Sequence, residues 1–97
     1  MLYMVNKSPL STSSLSTALR IAPQGAPILL CEDGVYAAMP GAKSEPWVKA
    51  ALARHPLYAL DADLEARGIG KVIKGVQGIG YDGFVELVEQ HNVVPWL

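Results

Sequence analysis

Ile28-Leu29-Leu30-Cys31-Glu32-Asp33-Gly34 is the stretch that decides the fold of this chain. Its consecutive apolar residues, with Pro27 before them, are typical of a short strand buried on both faces, as in a parallel sheet. Glu32, Asp33 and Gly34 follow as a turn signal, because Asp and Gly both favour tight turns. We therefore expect a central strand whose carboxyl end lies at Cys31.

Further apolar runs on both sides predict the other strands of the sheet. They are Leu2–Val5, Leu57–Leu60 and Val93–Val94. The segment from Gly70 to Gly80 is harder to interpret, because glycines interrupt its apolar residues. Val72–Ile73 and Val76–Ile79 within this segment form either one strand or two.

Apolar residues at helical spacing lie between these runs, and polar residues, glycines or prolines mark the helix ends. The first predicted helix is Leu15–Ala22, after the N-cap candidates Ser11–Ser14, and a helical turn follows at Val35–Met39. The next two helices run from Pro46 to Ala53 and from Ala62 to Arg67, the second capped by Asp61 and ended by Gly68. A last helix is capped by Asp82 and has an apolar stripe of Phe84, Val85, Leu87 and Val88. Strands and helices alternate throughout, which predicts one α/β domain over residues 1–97 with right-handed crossovers.

The composition is apolar and lightly charged, with 51% hydrophobic and 18% charged residues. A small domain of this kind suggests a surface covered by other subunits, since large exposed apolar patches mark interaction sites. An ordinary monomer with an apolar surface is the alternative. The net charge is −1 and the eight Lys and Arg residues are scattered, which disfavours direct binding of nucleic acid.

The chain contains one cysteine, which excludes an internal disulfide and a thiolate zinc site. The apolar start, Met1 to Val5, is too short for the core of a signal peptide. No run approaches the roughly 18 apolar residues of a membrane helix. We expect a cytoplasmic protein that needs no cofactor and no membrane.

Cys31 is the candidate nucleophile, because ligand sites of open α/β sheets lie beyond the carboxyl ends of the strands. A thiolate there could carry a persulfide sulfur. Glu32 and Asp33 would oppose ionisation of the thiol, since they disfavour another negative charge nearby. The alternative is a buried structural cysteine, which is common for this residue type.

Other motifs indicate structure rather than chemistry. Gly78 to Gly83 matches G-x-G-x-x-G, but too few residues follow for a second strand with a ribose-binding acid, so we interpret the glycines as turn and cap positions. His55 and His91 are isolated and lack metal-ligand spacing. Asp61 and Asp63 are interpreted as a helix cap and a first-turn acid rather than a catalytic pair.

The ordered set of segments resembles the TusB/DsrH family of sulfur-relay subunits. The matching segments are Asn6-Lys7-Ser8-Pro9, Leu29 to Ala38, Tyr58 to Gly68, Tyr81-Asp82, Phe84 to Leu87, and Trp96. The resemblance spans nearly the whole chain. It implies a DsrE-like α/β fold with about five mostly parallel strands. It also implies a heterohexamer with TusC-like and TusD-like subunits, in which the active cysteine lies on the TusD-like subunit.

In that relay a persulfide passes along carriers to the enzyme that makes 2-thiouridine at the tRNA wobble position. DsrH proteins of sulfur-oxidising bacteria often carry a cysteine in the first helix, where this chain has Ala18 and no cysteine. The resemblance therefore favours a non-catalytic subunit for tRNA thiolation, with Asp33, Tyr36 and Trp96 as candidate contact residues. The alternatives are a DsrH-like subunit of a sulfur-oxidation complex, a persulfide carrier using Cys31, and a free-standing module that binds a small ligand.

Overall fold

The computed structural model describes residues 1–8 and 14–96. Its strands are β1 (Leu2–Val5), β2 (Ile28–Leu30), β3 (Leu57–Leu60), β4 (Gln77–Ile79) and β5 (Val93–Trp96). Its α-helices are α1 (Ser14–Ile21), α2 (Glu45–Leu52), α3 (Asp61–Ala66) and α4 (Tyr81–Gln90). A 3₁₀ helix covers Glu32–Ala38. In the described residues no helix is both long enough and apolar enough to cross a membrane.

The strands form one parallel sheet in the order β4-β3-β2-β1-β5. This confirms the α/β class and the sheet of about five mostly parallel strands. Strands β2, β3 and β4 are added one after another on one side of β1. The chain then crosses back, and β5 pairs with the other side of β1. Because crossovers in parallel sheets are right-handed, α4 packs on the opposite face from the earlier helices.

The two faces of the sheet differ in how well they are covered. On one face, Tyr3, Ile28 and Leu57 pack in a large core with residues of α1, α2, α3 and the 3₁₀ helix. On the other face, α4 is the only helix of the described residues in a smaller cluster, which comprises Leu2, Leu29, Leu87 and the partly buried Met4, Tyr58, Ile79 and Phe84. Parallel sheets normally bury both faces. Here Met4, Tyr58 and Ile79 stay partly exposed, so the second face of the sheet is covered only in part.

The uncertain segment from Gly70 to Gly80 contains a single strand, β4. Only Gln77–Ile79 pairs with β3, while Val72 and Ile73 lie outside the sheet. Ile73 is instead 2% exposed and packs in the large core, and its N–H donates to the carbonyl of Ala38 at 2.8 Å. Its apolar character thus reflects burial beneath a loop rather than a position in a strand.

Both predicted aspartate caps were wrong by one or two positions. Leu60 precedes α3 as its N-cap and Gly80 precedes α4, and neither helix has a side-chain cap hydrogen bond. Asp61 and Asp82 lie in the first turns, where the helix dipole still favours a carboxylate. The predicted stop at Gly68 is confirmed, because this residue has a φ of 68°, which glycine adopts without strain.

Other predicted elements also begin or end elsewhere. The 3₁₀ helix begins at Glu32, earlier than the turn expected at Val35, and β5 extends through Pro95 to Trp96. Proline fits there because β5 is an edge strand, where a missing N–H need not weaken the sheet. The predicted caps Ser11 to Ser13 lie outside the described residues, and the side chain of Ser14 is likewise not described.

Candidate functional site

Cys31 lies where β2 ends and the 3₁₀ helix begins, at the edge of the sheet where α/β proteins place their sites. Its N–H donates to the carbonyl of Val5 at 3.1 Å, and its Sγ lies 3.8 Å from the same oxygen. Gly34 makes this approach possible, because a Cβ there would overlap the carbonyl group of Val5. The 3₁₀ helix is therefore held directly against the end of β1.

The environment of Cys31 keeps its thiol protonated. The residue is 7% exposed. Burial, followed by the negative charges of Glu32 and Asp63, raises its pKa from 9.0 to about 11. Since the thiolate is the nucleophile, Cys31 is chemically quiet at neutral pH in this arrangement. The geometry therefore favours the structural role of the two roles that the sequence left open.

An ionic cluster surrounds the loop that follows Cys31. Arg67 donates from Nε and Nη2 to Oδ1 of Asp33, at 3.0 and 2.9 Å. Its Nη1 donates to the main-chain oxygen of Asp63 at 3.2 Å, and its guanidinium lies 6.0 Å from the ring centre of Tyr36. The hydrogen bond to Asp33 raises the pKa of Arg67 further above its usual range. Arg67 thus joins α3 to the 3₁₀ helix.

Asp63 also stabilises an unusual backbone conformation. Its Oδ2 accepts a hydrogen bond of 2.7 Å from the N–H of Glu32, a residue with a φ of 48°. That left-handed conformation is uncommon for a residue with a side chain and persists only where neighbours impose it. Asp63 is therefore more than the first-turn acid that the sequence indicated, because it positions the residue next to Cys31.

The structure brings together two of the three predicted contact residues. Asp33 and Tyr36 both meet Arg67, and the side chain of Asp33 is 61% exposed. Trp96 is in β5, where its main chain pairs with Val5, so it lies across β1 from β2. All three residues thus lie at or beyond the carboxyl ends of the strands. That they contact a partner remains a prediction.

The remaining motifs have structural explanations. Of the glycines interpreted as turn and cap positions, Gly80 is the N-cap of α4, the place expected for Asp82, whereas Gly78 and Gly83 lie in β4 and α4. A Cβ on Gly78 would meet Oδ1 of Asp61 at 2.5 Å, but that oxygen ends an exposed, flexible side chain that can move aside. Within the described ranges, no group of three or more His, Cys, Asp or Glu residues is arranged to hold a metal. His55 is buried and His91 is partly exposed at the end of α4.

Sequence reasoning missed an exposed apolar face of α4. Tyr81, Val85 and Val88 are 75%, 45% and 39% exposed, and they occur at positions i, i+4 and i+7. We call these three residues the α4 stripe. The predicted single stripe was wrong: Phe84 and Leu87 pack on the sheet, while Val85 and Val88 face solvent. The sequence signal for this exposed face was the width of the apolar stripe predicted on the last helix. That stripe extends over more of the helix circumference than packing on one face of a sheet buries. Arg67 was also missed, although it follows Asp63 by four residues.

Comparison with known proteins assigns the class. The chain matches the family described as DsrH like protein over residues 7–94, and it belongs to that family. It is 42% identical over 94 residues to Protein TusB of Serratia proteamaculans (strain 568), covering 95% of each chain. It is 34% identical over 93 residues to Protein TusB of Shigella flexneri, again with 95% coverage of each. The TusB/DsrH resemblance is therefore confirmed.

A solved structure supports the fold independently. The ychN protein from E. coli superimposes with a TM-score of 0.83, covering 98% of this chain and 97% of that one. The sequence identity is 19%, so this likeness establishes the shared fold alone. It confirms the expected DsrE-like architecture.

Proposed function

We propose that this chain is a non-catalytic subunit of a cytoplasmic sulfur-relay complex that supports 2-thiolation of the tRNA wobble uridine. The family match and the full-length similarity to TusB proteins support its place in a sulfur relay. The observation that carries the non-catalytic role is the environment of Cys31. A thiol that is 7% exposed, with a pKa of about 11, is poorly suited to accept a persulfide sulfur.

The position of Ala18 favours this function over that of a sulfur-oxidation subunit. Ala18 is fully buried in α1, within the large core. It occupies the region where related sulfur-oxidising subunits often carry a cysteine. In this chain the region supplies packing, which is consistent with a subunit that holds its partners in place.

The proposed partners are a TusC-like and a TusD-like subunit, in a heterohexamer of two trimers, with no direct contact to nucleic acid. The α4 stripe supports this proposal, because it is apolar, exposed and adjacent to the incompletely covered face of the sheet. Asp33 and Tyr36 offer a second, polar contact region at the strand ends. Tyrosines such as Tyr36 and Tyr81 are enriched at protein interfaces.

Native mass spectrometry of the tagged chain, purified from its own host, tests the assembly. We expect a stable complex with two other proteins of roughly 12–15 kDa, the size of ordinary small domains. A lone monomer with no affinity for TusC-like and TusD-like proteins would contradict the proposal.

Deletion of the gene, complemented with wild type or with Cys31→Ala, tests the pathway and the role of the cysteine. We expect the deletion to lose 2-thiouridine from tRNA and both complementing forms to restore it. Unchanged tRNA together with impaired sulfur oxidation would support the DsrH-like alternative. Restoration by the wild type alone would identify Cys31 as a sulfur carrier.

A further inference from the structure

A groove between α1 and the end of α2 has the features of a ligand site that the proposed function does not use. Its volume is about 290 Å³, close to the lower end of the range for small-molecule pockets. The residues that define its character are Leu19, Arg20, Trp47, Ala50, Arg54 and His55. It lies away from Cys31 and the ionic cluster, none of whose residues line it.

His55 forms a buried polar part of the groove wall. It is 3% exposed, and its Nδ1 lies 3.0 Å from the carbonyl oxygen of Ala26. Because a carbonyl can only accept, Nδ1 carries the proton of that hydrogen bond. Its Nε2 is buried and has no hydrogen-bond partner in the described part of the chain. Buried polar atoms are normally paired, and an ordered water molecule is the usual partner of such a nitrogen.

The charges of the groove define the sign of a ligand that would bind there. Arg20 and Arg54 both line it and both are exposed. Among the residues that the structure describes, neither guanidinium forms an ion pair, and the groove contains no acidic side chain. Guanidinium groups bind carboxylates and phosphates through charge-assisted hydrogen bonds. The groove is therefore complementary to an anion.

The rest of the lining defines the body of the ligand. Trp47 is 53% exposed, and Leu19, Ala50 and Ala51 line the groove beside it. An exposed indole ring at the rim offers a flat apolar surface on which a ring or an alkyl chain can pack. A bare inorganic ion would leave this surface unused.

We infer that the groove between α1 and α2 binds a small organic anion, in which a carboxylate or phosphate monoester is carried on an aromatic or aliphatic group. Arg20 and Arg54 hold the anion, and Trp47 packs against the apolar body. This inference is independent of the relay function, because it rests on different residues.

Amide NMR of the full-length chain tests the site, with phenyl phosphate as the probe at low salt. Benzyl alcohol serves as the neutral analogue and inorganic phosphate as the bare anion. We expect saturable shifts in the groove residues and in the indole N–H of Trp47, with phenyl phosphate binding about tenfold more tightly than either control. Equal binding of benzyl alcohol, equal binding of inorganic phosphate, or no groove shifts with phenyl phosphate would each overturn the inference.

Variants then assign the contacts. Arg20→Gln and Arg54→Gln should each weaken phenyl phosphate about tenfold, whereas Lys49→Gln, which removes a charge from α2 outside the groove, should not. Unchanged affinity in both arginine variants would overturn the inference. The three probes on the wild-type chain decide the question even where a variant fails to fold.

Discussion

Arg67 binds a single oxygen of Asp33 through two of its N–H groups, at 3.0 and 2.9 Å, and so ties α3 to the 3₁₀ helix that follows Cys31. The two residues are remote in sequence. The same guanidinium also contacts the main chain of Asp63 and lies over Tyr36. One side chain thereby orders the loop at the strand ends that we propose as a contact region.

Replacing Arg67 with Gln should loosen that loop. We expect faster amide hydrogen exchange across Glu32–Ala38 and weaker binding to the TusC-like and TusD-like partners, because Asp33 loses both hydrogen bonds. Hydrogen-exchange mass spectrometry and a pull-down measure the two effects. Arg54→Gln is the matched control, since it removes an arginine outside the cluster. Identical exchange in both variants would refute the organising role of Arg67.

The thiol of Cys31 should react slowly in the native protein at neutral pH. A pKa of about 11 leaves only a small fraction of thiolate at pH 7. Labelling with a thiol reagent should therefore be far slower in buffer than in denaturant, and it should accelerate as the pH rises toward 11. Fast, complete labelling of the folded chain at pH 7 would contradict the structure.

The same pKa predicts how stability depends on pH. In the unfolded chain the thiol ionises near 9.0, whereas in the folded chain it keeps its proton until about 11. The contribution of Cys31 to stability is therefore present below pH 9 and is lost as the pH rises toward 11, by up to about 2–3 kcal/mol. Urea unfolding of wild type and Cys31→Ala across this range isolates the effect from other titrating groups. Parallel pH profiles for the two proteins would rule it out.

Gly34→Ala should strongly destabilise the fold. The new Cβ would overlap the carbonyl oxygen of Val5 and lie 2.9 Å from its carbon, and both atoms are main chain in a buried strand. We expect the free energy of unfolding to fall by about 3 kcal/mol or more. Gly70→Ala is the control, because nothing lies within 4 Å of the position that its new methyl group would take. Similar unfolding curves for the two variants would show that the approach of the 3₁₀ helix to β1 is adjustable.

The α4 stripe should contribute to assembly and little to folding. Val85→Gln with Val88→Gln should weaken partner binding, while each change alters the free energy of unfolding by less than about 0.5 kcal/mol, because both side chains are exposed. Glu86→Gln with Glu89→Gln, on the same helix, is the control for binding. Native mass spectrometry and urea unfolding measure the two quantities. Full assembly of the valine variant would exclude the stripe from the interface.

The central strands were predictable because each is a short, continuous apolar run. A run of this kind is typical of a parallel strand that is buried on both faces. Gly68 was predictable for a similarly local reason, since only glycine easily adopts the backbone that ends α3. Helix starts were less predictable, because Asp61 and Asp82 are as favourable in the first turn as at the cap. Ile73 was misinterpreted as part of a possible strand, because burial under a loop leaves the same apolar signal.

The sequence by itself determined the α/β class, the alternation of strands and helices, and the presence of a single thiol. Those properties depend on local pattern and on composition. The tertiary structure alone decided that Cys31 is buried beside Asp63, that Arg67 meets Asp33, and that His55 and Arg20 line one groove. It also decided which face of α4 is exposed. These properties depend on contacts between residues far apart in the chain, and burial and charge act through those distances rather than through sequence order.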